Sequence, residues 1–292
     1  MKEIWKISSS GKAKFCVGIG ITLNRNDHTV SLSQVALIDK IIHQFGQQDA
    51  YLSNSPMDPG LKLRCPNKKD ITPEDKERLD HLPYRSLVGC LIYLSVGTRP
   101  DIAYAIQQLS QFLDSYTYAH WNAAIRVIQY LKGTRDLKLT LGSHKPIELL
   151  GLTDLDWANC LDMRRSVGGY RFTLGSGLIS WNAQKPKTVA TSSCEAEYTA
   201  AFEATKESTW LRSLLTSIGF HKNSPTIILC DNNAAINLSE DPSLHQCVKH
   251  INIKYHFLRE RVNMGEITLK YINTNDNLAD IFTKALEHWR FS

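Results

Sequence analysis

Four acidic residues in the second half of this 292-residue sequence fall where a charge is hard to place without a task. Asp154 closes the apolar run Leu149–Thr153, which reads as a strand, and Asp231 follows directly on the apolar run Thr226–Cys230. A charge at the end of a buried strand loses solvation that only a partner or a function restores. Glu197 shares a helical face with Cys194, Ala200, Ala201, Ala204 and Leu211, while Glu195 falls on roughly the opposite side. Small apolar side chains mark the face that packs on a sheet, so Glu197 is expected to be the inward carboxylate. Asp280 falls in what reads as the first turn of a terminal helix starting near Asn277. Four carboxylates converging at one end of a sheet offer hard oxygen ligands to divalent cations, magnesium above all.

Taken singly, each of these acids also has a plain structural reading. Asp154 can be a strand-end turn residue, with Asp156 on the same side of the strand. Asp231 can cap the helix after it, Asp280 can share a capping arrangement with Asn277, and Glu197 can be an ordinary helix-surface residue. The joint pattern is what favours chemistry.

The elements that would carry these residues follow from periodicity. Strand-like segments at Leu149–Thr153, Gly169–Leu174 and Leu178–Asn182 are separated by turns. A helix over 193–218, the strand 226–230, a helix from Asn232, a helix over 249–264, the strand 267–272 and a last helix follow in alternation. Strands in series and then alternating helices and strands predict an α/β sandwich on a mixed sheet. The front of the chain differs. Two short runs around Asn24-Arg25-Asn26-Asp27 predict a hairpin, and a helix follows Ser33. Residues 54–80, with Pro56, Pro59, Pro66 and Pro73, read as a loop or linker. Three helices come next, from Tyr84, from Pro100-Asp101 and around Trp121 up to Gly133. Arg85, Arg99, Arg126, Lys132 and Arg135 are expected on their exterior. A boundary is expected at Gly142–Pro146, giving domains 1–142 and 147–292.

Composition narrows the class. The sequence is 42% hydrophobic and 22% charged, has no apolar stretch of membrane-spanning length, and opens without a signal-peptide core. Its seven cysteines form no C-x-x-C pair and read as free thiols rather than a zinc site. Residues 1–147 hold 19 Lys/Arg against 13 Asp/Glu, and residues 148–292 hold 15 against 16, which together give the net +5. The basic front half suits a surface along a phosphate backbone, although such an excess is also within ordinary surface variation.

Longer motifs connect these observations. Asp154-Leu155-Asp156-Trp157-Ala158, Arg164-Arg165-Ser166-Val167-Gly168-Gly169-Tyr170, Ile179-Ser180-Trp181 and Ser192-Ser193-Cys194-Glu195-Ala196-Glu197-Tyr198 come in order. Cys230-Asp231-Asn232, Lys249-His250-Ile251, Tyr255-His256-Phe257 and Leu278-Ala279-Asp280-Ile281-Phe282-Thr283-Lys284 complete the series. In this order they resemble the ribonuclease H region of Ty1/copia-type retrotransposon Pol polyproteins. Tyr84-Arg85-Ser86-Leu87-Val88-Gly89, Thr98-Arg99-Pro100-Asp101-Ile102-Ala103 and the stretch from His120-Trp121 to Lys132-Gly133-Thr134 are similar to the thumb and connection of the same family's reverse transcriptase.

The resemblance implies a ribonuclease H-like five-stranded mixed sheet with flanking helices, preceded by a small, mainly helical reverse-transcriptase region with an N-terminal hairpin. It also implies two-metal hydrolysis of the RNA strand of RNA–DNA hybrids. Asp154, Glu197, Asp231 and Asp280 would hold two Mg2+ ions, with Mn2+ as a substitute, and Arg164 and Arg165 would contact phosphates. Partners would be the hybrid and other parts of the polyprotein, without a membrane. The setting would be intracellular: cytoplasmic virus-like particles and the nucleus. The family's Tyr-x-Asp-Asp polymerase turn is absent from these residues and would lie ahead of Met1, so no polymerase activity is expected. The loop Asn273-Thr274-Asn275-Asp276 lacks the histidine usual in cellular ribonucleases H. The second reading is a degenerate remnant that at most binds nucleic acid.

Overall fold

The computed structural model describes residues 11–66, 72–142, 144, 146–156, 166–186, 193–221, 224–240 and 252–290. The front half begins with the strands β1 (Phe15–Cys16), β2 (Ile19–Asn24) and β3 (Thr29–Ser33), then the helix α1 (Val35–Gln44). Helices α2 (Pro73–Asp80), α3 (Tyr84–Gly97), α4 (Ala103–Ser110) and α5 (Tyr118–Gly133) follow, and the strand β4 (Leu139–Leu141) closes an antiparallel sheet of order β1-β2-β3-β4. The core here is helical. Ile38 and Ile41 of α1, Leu87 and Leu91 of α3, Ile106 and Leu109 of α4, and Val127 and Ile128 of α5 are all nearly free of solvent.

Three expectations are corrected in this half. Residues 54–80 are more than a linker: they contain α2, and Met57 and Leu79 are buried. β4 is an additional strand, fixed by pairing across more than a hundred residues to β3. Of the expected basic exterior, Arg99 is the exception, while Arg85 stays largely exposed and Arg135 partly so. Arg99 is buried at 2% exposure, where it meets both oxygens of Asp101 and the hydroxyl and carbonyl of Thr134. A guanidinium tolerates burial when its fork is filled in this way. Arg85 pairs with Asp114, Arg135 with Asp39, Arg126 donates to Ser55 and Lys132 donates to the carbonyls of Gln48 and Ala50.

The back half is built on β5 (Leu149–Asp156), β6 (Val167–Leu174), β7 (Gly177–Gln184), β8 (Thr226–Cys230) and β9 (Ile267–Tyr271). The sheet order is β7-β6-β5-β8-β9. β5, β6 and β7 form an antiparallel meander, while β8 runs parallel to β5 and β9 parallel to β8. The helices α6 (Ser193–Ser217), α7 (Asn233–Glu240) and α8 (Asn252–Asn263) supply the crossovers that parallel neighbours require. This is the ribonuclease H-like fold, a mixed five-stranded sheet with flanking helices. Among the described residues no helix is long and apolar enough to cross a membrane.

α6 approaches the sheet closely because its inner face is small. Ala196, Ala200, Ala201 and Ala204 are buried, and Ala196 and Ala200 pack with Leu155. Enlarging Ala201 or Ala204, both without exposure, to leucine would overpack this contact at about 1–3 kcal/mol. The expected terminal α-helix is replaced by short 3-10 turns at Thr274–Asp276, Leu278–Phe282 and His288–Arg290. Asn277 starts the middle turn, its side chain accepting from the Ala279 amide and donating to the Thr153 carbonyl. Phe282 then packs against the sheet at Gly169, where a Cβ would stand 2.5 Å from the Phe282 Cβ. The side chains on either side of this turn are claimed by different surfaces, so the chain does not continue as one helix.

Candidate metal-binding carboxylate site

β5 carries Asp154 two residues before its end, paired with Gly169 of β6, so the acid sits inside the strand rather than just beyond it. It is 4% exposed. Thr283, on the turn after Asp280, donates a short hydrogen bond to Asp154 Oδ2, and its hydroxyl also lies 3.1 Å from the Asp280 carbonyl. Asp280 is itself buried at 3% exposure, and its Oδ1 meets the Lys284 ammonium at 2.9 Å. The turn thus folds back on itself, with Thr283 tying it to the strand and Lys284 neutralising its acid.

Asp231 follows β8 directly, as expected, and its Oδ2 accepts from Thr274 at 2.8 Å. The neighbouring Asn232 caps α7, accepting from the amides of Ala234 and Ala235. The capping task therefore belongs to Asn232, which leaves the Asp231 carboxylate for other work. Glu197 is half-buried as a residue, but its Oε2 is fully covered and meets no hydrogen-bond donor. One oxygen of the carboxyl group is thus enclosed by the fold.

Electrostatics bind these positions into one site. Burial pushes the Glu197 carboxyl up to about 9, with Asp154 and Asp231 adding to the rise and Lys284 opposing it. Burial pushes Asp154 up to about 7; Asp280 and Asp231 add to this, while the Thr283 hydrogen bond and Lys284 work against it. The buried thiol of Cys230 rises to about 12, mainly from burial, and it too feels Glu197 and Asp231. Each acid is within electrostatic reach of at least one other, at the end of the sheet where β5 and β8 terminate. Among the described residues no three Asp, Glu, His or Cys side chains are already closed into a metal-ligand cluster.

Arg164 and Arg165 lie outside the described residues, as does His250. His256 is exposed, its ring edge-on to Tyr255 at 6.0 Å, so it belongs to the surface of α8 and not to the acid site. Sequence reasoning assigned no role to Thr283 and Lys284. The available signal was their spacing from Asp280: three and four residues on, within one turn.

Comparison with known proteins places the whole chain. It is 38% identical over its full length to the retrovirus-related Pol polyprotein from transposon TNT 1-94 of Nicotiana tabacum. It is 37% identical over 94% of its length to that from transposon RE1 of Arabidopsis thaliana. The chain belongs to the copia-type retrotransposon Pol polyproteins. It spans only 22% of the first of these relatives and 18% of the second, so it corresponds to a segment of such a polyprotein. No family model matches the sequence. Among solved structures, the foamy viral protease–reverse transcriptase in complex with RNA/DNA hybrid aligns with 70% of this chain and 27% of its own. The identity is 13% and the TM-score 0.37, so the fold assignment rests on strand order and direction instead. Within the Pol family, the five-stranded unit of this chain has the ribonuclease H-like fold.

Proposed function

We propose that this chain is a divalent-cation-dependent endonuclease of the ribonuclease H type, which hydrolyses the RNA strand of RNA–DNA hybrids. The observation that carries the reading is the enclosed Glu197 carboxyl, without a donor for Oε2, within the field of Asp154 and Asp231. Among the described residues, several acids are buried together with Lys284 as the cation against them, which leaves a deficit of positive charge. Divalent cations held by carboxylate oxygens would fill it, and the donor set suits magnesium, with manganese as a substitute.

Asp154, Glu197, Asp231 and Asp280 would hold the cations. When bound, a pair of such ions activates water and stabilises the leaving oxygen of a phosphodiester. The chain's own contribution is positional. Thr283 orients Asp154 through Oδ2, Thr274 orients Asp231, and Asn277 ties the Asp280 turn to the Thr153 carbonyl. Lys284 holds Asp280 in place and would stand beside an incoming phosphate. Discrimination of RNA from DNA would rest on 2′-hydroxyl contacts and groove shape, with Arg164 and Arg165 on phosphates.

The test is a gel assay of the purified chain on an end-labelled RNA–DNA hybrid with Mg2+, with EDTA as control. Internal cleavage of the RNA strand alone is expected. Hybrid binding without cleavage would instead place the chain with non-catalytic remnants.

A further inference from the structure

Asp280 sits on a turn that faces two ways. Ala279 and Phe282 are buried, Phe282 against the β6 backbone at Gly169, and Thr283 bonds to Asp154. Ile281, Ala285 and Leu286, together with Lys284, border the front half of the molecule. Ala285 packs against the helical core that contains Met57 and Ala105, and Leu286 is buried at 8% exposure. Met57, Tyr104 and Ala105 from the front half line one narrow crevice with Ile281, Ala285 and Leu286. The turn is bonded on its sheet side, through Thr283 to Asp154 and Asn277 to the Thr153 carbonyl, and by backbone bonds of its own. Among them, the Thr283 and Lys284 amides both reach the Asp280 carbonyl, at 3.1 and 3.2 Å. A 3-10 turn this short does not hold its shape alone.

The surface opposing the turn is firmly docked. Trp181 of β7 donates to the Ser95 carbonyl of α3 at 3.0 Å, and Lys185 donates to Gln111 at 2.9 Å. At Gly177 a Cβ would stand 2.8 Å from the Leu141 Cα, so β4 and β7 touch backbone to backbone. The front helices are therefore fixed relative to the sheet that carries Asp154.

We propose that the front helical region forms part of the carboxylate site: the seat made by Met57, Tyr104 and Ala105 sets where the Asp280 carboxylate stands. Met57 and Leu286 are positioning residues, acting through the turn and touching none of the four acids. The proposal deepens the metal-site reading and rests on it for its consequence, but the geometry of the seat is independent of any cation. Loss of the seat would free the turn and displace Asp280 together with its Lys284 partner, while β5, β6 and β8 remain paired.

Two variants from opposite sides of the crevice test this, Met57→Ser and Leu286→Ser, each with a conservative partner, Met57→Leu and Leu286→Met. Hydrogen exchange in EDTA reads the turn without a cation, and calorimetric titration with Mn2+ reads the site. Both serine variants should speed exchange at the Thr283 and Lys284 amides about tenfold or more, as local opening requires, without changing the β5–β8 amides. They should also weaken Mn2+ binding several-fold, and the conservative partners should restore both readings. Unchanged exchange at 283–284 in either folded serine variant overturns the proposal. So does faster exchange with Mn2+ affinity intact. If the unaltered chain takes up no Mn2+, the metal reading fails, and the exchange data still decide the seat. Should one serine variant lose global protection, the other, with its conservative partner, decides the matter.

Discussion

Replacing Glu197 with glutamine should stabilise the metal-free protein at neutral pH and remove its response to magnesium. The carboxyl moves from 4.5 to about 9 on folding, first through burial and then through Asp154 and Asp231. The folded state therefore keeps its proton over a range where the unfolded chain has released it. Stability from this group is fully present below pH 4.5 and is lost as pH rises towards 9. At pH 7 the unfolded pKa lies about 2.5 units below the solution pH, a penalty of about 3 kcal/mol as an upper bound. Glutamine has nearly the same shape and never ionises, so it escapes the penalty. In a chain of this size the gain corresponds to a rise in Tm of roughly 6–12 °C. Thermal unfolding in EDTA at pH 4.5, 7 and 8.5 measures it. The two proteins should nearly coincide at pH 4.5 and separate progressively above it. Magnesium at pH 7 should then raise the Tm of the parent chain and leave that of Glu197→Gln nearly unchanged. Coincident melts in EDTA at pH 7 would refute the enclosure of this carboxyl. An equal magnesium response would refute its role as a ligand.

Asp154→Asn should lower hybrid cleavage on the order of 100-fold or more while fluorescence anisotropy shows hybrid binding unchanged or tighter, because phosphate contacts lie elsewhere and one repulsive charge is gone. Glu195→Gln is its control and should cleave within about twofold of the parent; loss of activity there but not in Glu197→Gln would reverse the assignment of the inward face of α6. Lys284→Met strands the buried Asp280 carboxylate and should cost on the order of 2 kcal/mol in EDTA, with Mg2+ recovering much of it; melts identical to the parent would mean that the ion pair contributes nothing. Limited proteolysis should nick within 54–80 or near 142–147, the proposed domain boundary, yet leave the two pieces co-eluting on gel filtration because of the β4–β7 and turn contacts; free fragments would count against those contacts. Primer extension on a primed RNA template should show no incorporation.

The order of elements in the back half was legible because its strands are short segments rich in apolar residues and bounded by turns, and because α6 has a small-residue face. The terminal helix was misread for an instructive reason. Leu278, Ile281, Phe282, Ala285 and Leu286 keep a helical spacing, but two surfaces produce it. Phe282 answers to the sheet at Gly169, while Ala285 and Leu286 answer to the front core. Periodicity reports how often the chain returns to an apolar partner, not whether it is the same partner each time. The strand β4 was invisible for a related reason: three residues, Leu139–Leu141, become a strand only because β3 lies beside them. Arg99 looked like surface because nothing local announces that Thr134 will fill its fork.

The acids were easier to find than the residues that hold them, and the difference is physical. An aspartate at the end of an apolar strand is conspicuous because solvation is expensive to give up, so its cost is written into a short stretch of sequence. Thr283 and Lys284 carry no such mark: a threonine and a lysine after a turn are ordinary anywhere. Their importance arises only when the turn is brought against β5 and Asp154 is found to accept from one while Asp280 pairs with the other. If the fold were selected for stability alone, an amide at position 197 would serve better than a carboxyl held near 9. The acid at that position, with Lys284 the cation that meets Asp154, Glu197 and Asp280 among the described residues, is the strongest reason to look for a metal ion in the difference between them.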